Sequence, residues 1–184
     1  WRDCKALNYE YGRRIALGKQ AGRLLGWMSA TVPPEISWAF DVVPVGGESY
    51  GAMTADWQQE KVDLDQAAEE AGYSRDLCAY ARISLGSMLC DSGPYGAFPK
   101  PDFVVGAKGE CNIQIKWYEQ IARRYPVPFM VLDLHLPDAG ELYLEYYLSQ
   151  LYDYIAFLEE VTGKKADEAR LVESVTTAFR SADV

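Results

Sequence analysis

Apolar positions change period several times along the chain, and each change marks an element. Residues 3–25 set Leu7, Tyr11, Ile15 and Leu24 among basic residues at helical spacing, with Gly12, Gly18 and Gly22 weakening that helix. Gly26-Trp27-Met28-Ser29-Ala30 reads as a short buried strand running into a loop. Val32-Pro33-Pro34-Glu35 opens a helix, since proline is tolerated in a first turn, and Ile36, Trp38, Ala39 and Phe40 form its expected apolar face. Asp41 to Val45 is a second strand, ended by Gly46-Gly47. Residues 56–71 follow as an acidic amphipathic helix stopped by Gly72. Ser74 is the expected N-cap of the next helix, which places Cys78 in its first turn and carries it to about Leu89. Proline and glycine make a loop of residues 91–101.

The clearest strand–helix–strand unit comes next. Asp102 to Ala107 is a β-rich apolar run, Gly109-Glu110-Cys111 is a turn, and Ile113 to Tyr125 is a helix ended by Pro126 and Pro128. Phe129 to Leu134 is another strand, apolar almost throughout. Continuous apolar strands alternating with helices predict a parallel β-sheet flanked by helices on both faces, an α/β domain over residues 1–137. The remainder, 138–184, reads as a helical extension: Glu141 to Val161 places Leu142, Tyr146, Leu151, Ile155 and Leu158 at helical spacing, and Ala166 to Phe179 forms a second helix. The tyrosines between 143 and 154 read as packing.

Length and composition narrow the classes. The 184 residues suit one domain, and a chain of that size buries about 68–70% of its unfolded surface without staples. Apolar residues at 49% and charged residues at 24% exclude disordered and collagen-like chains. Against 18 Lys and Arg stand 27 Asp and Glu, a net charge of −9, which argues against a nucleic-acid partner. Nothing approaches the ~18 uninterrupted apolar residues of a membrane-spanning helix. Four cysteines in a chain this long do not make a disulfide scaffold, so reduced thiols and a cytoplasmic setting are expected. The first residues carry neither an initiator methionine nor an apolar signal core, as in a piece of a longer protein.

Candidate chemistry concentrates where open α/β sheets bind ligands, at the carboxyl ends of the strands. Three segments are expected there as loops: Ser29–Glu35, Gly46–Gly51 and Lys108–Cys111. Cys111 combines a strand end with a helix start, and Cys78 lies at another helix start, where free N–H groups favour a thiolate or an anionic metal–sulfur group. Each is also compatible with a small buried hydrophobe. Cys90 and Cys4 suit that plainer role. His135 is the lone histidine and reads as a surface residue; no G-x-S-x-G elbow offers it a serine. Neither a Walker A loop nor a GxGxxG is present. The run Asp63–Glu70 reads as a solvated helix face.

Four segments, taken in order, resemble the 2-hydroxyacyl-CoA dehydratase and benzoyl-CoA reductase family. They are Gly26-Trp27-Met28-Ser29 with Val32-Pro33-Pro34-Glu35-Ile36 and Val43-Pro44-Val45; Ser74 to Arg82 with Leu85-Gly86; Pro101 to Val105 through Gly109-Glu110-Cys111 to Lys116-Trp117-Tyr118-Glu119; and Pro126-Val127-Pro128 with Val131-Leu132-Asp133. The Asp-Leu-Cys-Ala-Tyr and Lys-Trp-Tyr-Glu stretches look closest to the iron–sulfur subunit of the benzoyl-CoA reductase branch.

The resemblance implies Rossmann- or flavodoxin-like layering, with a second α/β domain that this sequence does not contain. It implies a [4Fe-4S] cluster held by three cysteines: the first two match Cys78 and Cys111, and the third lies outside this sequence. It further implies low-potential one-electron chemistry on an acyl-CoA thioester under anaerobic conditions. The implied partners are a homologous iron–sulfur subunit and a separate ATP-hydrolysing iron–sulfur activator. Ser29, Glu35 and Glu48 become candidates for substrate or proton handling. A double-cubane cluster reductase of the same family and a non-catalytic α/β partner subunit are the alternatives.

Overall fold

The computed structural model describes residues 2–58, 63–109, 111–134 and 141–182. Four strands form one all-parallel sheet in the order β2-β1-β3-β4: β1 (Leu25–Met28), β2 (Val43–Gly46), β3 (Phe103–Lys108) and β4 (Phe129–Asp133). Around them lie α1 (Arg2–Gln20), α2 (Pro34–Ala39), α3 (Gly47–Gln58), α4 (Leu64–Glu70), α5 (Ala79–Cys90), α6 (Gln114–Arg124), α7 (Glu141–Thr162) and α8 (Glu168–Ala182). The expected parallel α/β sheet with C-terminal helices is the fold observed.

Side chains on a strand alternate between faces, and this alternation builds two cores. Leu25, Trp27, Val43, Val45 and Val104 point to the face covered by α1, α3, α5 and α6. Met28, Phe103, Val105, Ala107 and Leu132 point to the face covered by α2 and α7, with α8 lying against α2. Trp27 anchors the first core, stacked on Phe98 with ring centroids 4.8 Å apart and edge-on to Tyr50 at 5.1 Å. Its indole N–H donates to the Pro99 carbonyl at 2.6 Å, so the loop at 91–101 is tied beneath the sheet.

The connections explain where a site can form. From β1 the chain crosses through α2 to β2 on one side, and from β3 it crosses through α6 to β4 on the other. Right-handed crossovers that travel in opposite directions place their helices on opposite faces, as α2 and α6 are here. The strand order therefore reverses between β1 and β3, and open α/β sheets bind ligands beyond the carboxyl ends of their strands at such a switch point. At the opposite, amino end Asp102 ties β1 to α1. Asp102 accepts the Leu25 N–H at 2.7 Å and pairs with Lys19 at 2.8 Å.

Several boundaries differ from the sequence reading. Trp38 is 43% exposed, because the short α2 turns Ile36, Ser37, Ala39 and the following Phe40 inward instead. Residues 56–58 close α3, and the acidic helix begins at Leu64, with the Asp63 side chain accepting from the Gln66 N–H at 2.9 Å. Ser74 caps no helix; its hydroxyl accepts from the Asp76 N–H in a turn, and α5 starts only at Ala79. The acidic face of α4 is not purely solvated. Arg82 reaches Glu69 at 3.1 Å and Asp65 at 3.3 Å, and also donates to the Arg75 carbonyl at 2.8 Å.

Candidate functional site at the carboxyl edge of the sheet

Cys78 is the N-cap residue of α5, one step earlier than the first turn the sequence suggested. Arg82 holds the loop before it, through the Arg75 carbonyl and through its own N–H, which donates to the Cys78 carbonyl at 3.0 Å. Cys111 lies two residues before Ile113, the N-cap of α6, and its carbonyl accepts the Gln114 N–H at 3.3 Å. Both thiols are free and exposed. Neither helix start receives a side-chain cap, so first-turn N–H groups are left for whatever occupies the edge.

The two helix starts face one another. Leu77 and Ala81 on one side, and Ile113, Lys116 and Trp117 on the other, line a single cleft of about 260 Å³. Exposed, unbridged thiols beside uncapped helix starts suit an anionic iron–sulfur group in kind. They are two donors. Among the described residues, no group of three or more Cys, His, Asp or Glu is placed to hold a metal ion.

Ser29 follows β1 directly and is 2% exposed. Its N–H donates to the Val105 carbonyl at 3.2 Å, fixing it at the β1–β3 switch, while its hydroxyl has no protein partner. Glu48 corrects the sequence reading: residues 47–51 are not loop but the first turns of α3. The strand runs straight into the helix, and Glu48 sits where a helix favours negative charge. The Tyr118 hydroxyl meets one carboxylate oxygen of Glu48 at 3.0 Å, and the Gln114 amide N–H donates to the other. Burial, reinforced by the adjacent Glu48 carboxylate, holds the Tyr118 phenol well above its ordinary pKa, so it remains a neutral donor. Glu35 is half-buried in the first turn of α2, on the side facing Tyr154.

Sequence reasoning gave no site role to Gln114 or to Tyr118. A glutamine in the first turn of a buried helix was the available signal: Gln114 is 2% exposed, and its amide oxygen has no protein partner. Cys90 ends α5 with an exposed side chain, contrary to the buried reading. Cys4 lies within α1, but its side chain falls outside the described residues, as does His135.

A parallel sheet with a switch point between β1 and β3, and free thiols beside two helix starts, is the architecture of an α/β enzyme-type domain. Residues 29–182 match the family described as 2-hydroxyglutaryl-CoA dehydratase, D-component, and the chain belongs to that family. The matched span contains Ser29, Glu35, Glu48, Cys78 and Cys111. It is 33% identical over 167 residues to the (R)-phenyllactyl-CoA dehydratase alpha subunit of Clostridium sporogenes, covering 89% of this chain and 41% of that one. Identity is 34% over 160 residues to the (R)-2-hydroxyisocaproyl-CoA dehydratase alpha subunit of Clostridioides difficile, 84% of this chain and 38% of that one. With a subunit of the benzoyl-CoA reductase of Thauera aromatica it is 26% over 191 residues, 99% of this chain and 43% of that one. The chain thus spans about two-fifths of the length of these relatives.

Proposed function

We propose that this chain is part of the iron–sulfur subunit of an acyl-CoA dehydratase or reductase whose electron comes from a separate ATP-hydrolysing activator. The observation that carries the reading is that Cys78 and Cys111 are both exposed and stand beside the starts of two helices whose residues line one cleft, in a chain of this family. Identities to dehydratase alpha subunits run from 26% to 34% and that to the reductase subunit is 26%, so the reading covers both branches.

In this reading Cys78 and Cys111 supply two thiolates to a [4Fe-4S] cluster, and the third comes from outside this sequence. The cluster supplies low-potential one-electron reduction of a CoA thioester. The chain's own residues do the rest at the carboxyl edge. The Ser29 hydroxyl, buried and free of protein partners, is available to donate to a substrate carbonyl. Glu48 is the carboxylate available to hold or accept a proton there, with Glu35 the alternative. Apolar Met28, Val32 and Ile36 exclude water from one flank of the switch point. Residues 1–137 would serve as the first α/β domain and 138–184 would lead to a second. A homologous subunit would complete the enzyme, in an anaerobic cytoplasm where such thiols stay reduced.

Anaerobic purification of the full-length subunit tests this. About four irons per chain are expected, falling to background in Cys78→Ser and in Cys111→Ser while the circular dichroism spectrum holds. An iron-free protein that still converts acyl-CoA overturns the reading. About twice that iron count points instead to a double-cubane cluster.

A further inference from the structure

Tyr118 makes an unusual set of contacts for a residue with no solvent exposure. Its hydroxyl accepts the Gly47 N–H at 3.0 Å, and its single proton lies between the Met28 carbonyl at 2.9 Å and a Glu48 carboxylate oxygen at 3.0 Å. One phenol oxygen therefore joins the end of β1, the start of α3 and a carboxylate. Gly47 permits this approach, since a Cβ there would run into the hydroxyl. Gln114, one turn earlier on α6, donates its amide to the other carboxylate oxygen. Neither residue belongs to the set expected to touch substrate, and neither is a plain packing residue.

We propose that Tyr118 and Gln114 are positioning residues that clamp the Glu48 carboxylate, one on each oxygen, in a single orientation at the β1–β3 switch point. The proposal rests on the reading of Glu48 as a functional carboxylate. Two donors on one carboxylate remove its freedom to rotate. A second and third bond from the same phenol, to backbone at the ends of β1 and β2, tie that orientation to the sheet rather than to the side chain's own rotamer. Orientation is what a proton-handling group at a reacting centre needs most.

Two arms test it with the complete enzyme, full-length subunit and partner together. The first is a crystal structure of Tyr118→Phe: the Glu48 carboxylate should leave its position beside Gly47, and an unmoved carboxylate overturns the clamp. This arm needs no turnover, so it stands even if the acyl-CoA reading fails. The second is a double-mutant cycle in kcat and KM. Tyr118→Phe should lower kcat on the order of tenfold or more with KM nearly unchanged. In a Glu48→Gln background the same change should cost less than about twofold, because the group it positions is gone. Equal losses in both backgrounds mark a merely structural tyrosine and overturn the proposal, as does a fully active Glu48→Gln. Gln114→Leu removes the other half of the clamp without touching a backbone partner, and should reproduce the same pattern if Tyr118→Phe folds poorly. Unchanged iron content across the series separates these losses from loss of the cluster.

Discussion

Tyr154 and Tyr118 lie fully buried on opposite faces of the sheet, and they are used differently. Tyr154, on α7, meets a single polar partner, the Ser37 hydroxyl of α2, at 2.6 Å. Tyr118, on α6, meets two backbone groups and a carboxylate. Both phenols are held above their ordinary pKa, chiefly by burial; for Tyr118 Glu48 adds to the effect, and for Tyr154 the Ser37 hydroxyl opposes it. The Tyr154–Ser37 pair is a polar rivet between helices in an otherwise apolar layer. The Tyr118 group is a junction at the open edge of the sheet. Burial of a hydroxyl does not itself signal function; the number and kind of elements joined by that hydroxyl distinguish the two.

Mutation of each should expose that difference in denaturant melts. Tyr118→Phe leaves the Gly47 N–H and the Met28 carbonyl short of a partner, and should cost about 1–3 kcal/mol. Tyr154→Phe strands one buried hydroxyl rather than two backbone groups and should cost toward the low end of the same range, about 1 kcal/mol. Removing both partners of that rivet, Tyr154→Phe with Ser37→Ala, should recover most of the loss, since an apolar pair of the same shape leaves nothing unsatisfied. No partner swap of this kind rescues Tyr118, whose backbone partners cannot be mutated away. Equal costs for the two single variants, or a double variant worse than Tyr154→Phe alone, would break the comparison.

Alkaline pH gives a smaller and more graded contrast. Tyr50, on the same face as Tyr118, has its pKa pushed up from 10.0 to about 12, first by burial. The unfolded chain releases that proton near 10 while the folded one keeps it, so the unfolded state gains ground between the two values. Stability contributed by this burial is complete below pH 10 and is lost as pH climbs to about 12. Melting temperature followed from pH 8 to 12 should fall through that window, and Tyr50→Phe should make the fall shallower. A slope untouched by this variant would assign the alkaline loss to the other buried phenols.

Much of this architecture was legible in the chain because local and tertiary signals agreed. The apolar runs at β1 and β3 are buried on both faces, so they show as unbroken hydrophobic segments; β4, at the sheet edge, is equally apolar in sequence but only half-buried. Gly72, at φ 96°, ended its helix as glycine does. Where tertiary packing won, the reading slipped. Gly46-Gly47 looked like a turn, yet the chain enters α3 at once, because a glycine is needed under the Tyr118 hydroxyl rather than for a bend. Ser74 looked like a cap, but Arg82 draws the following residues into an ordered turn and delays the helix to Ala79. The cysteine positions at helix starts were readable from spacing and turn residues. The clamp around Glu48 was not, because Gly47–Glu48 and Gln114–Tyr118 are brought together only by the long crossing of the chain that lays β3 beside β1, and no local pattern records such a meeting.

That same crossing sets an order of events during synthesis. The interior strand β1 finds β2 within a short crossover, but its other edge waits for a partner; Leu25 and Asp102, bonded at the sheet's amino end, are 77 residues apart. Until β3 has left the ribosome, β1 offers an unpaired apolar edge to any neighbouring chain. The topology that sets the switch point thus makes the nascent polypeptide vulnerable to aggregation for the time it takes to translate α3, α4 and α5.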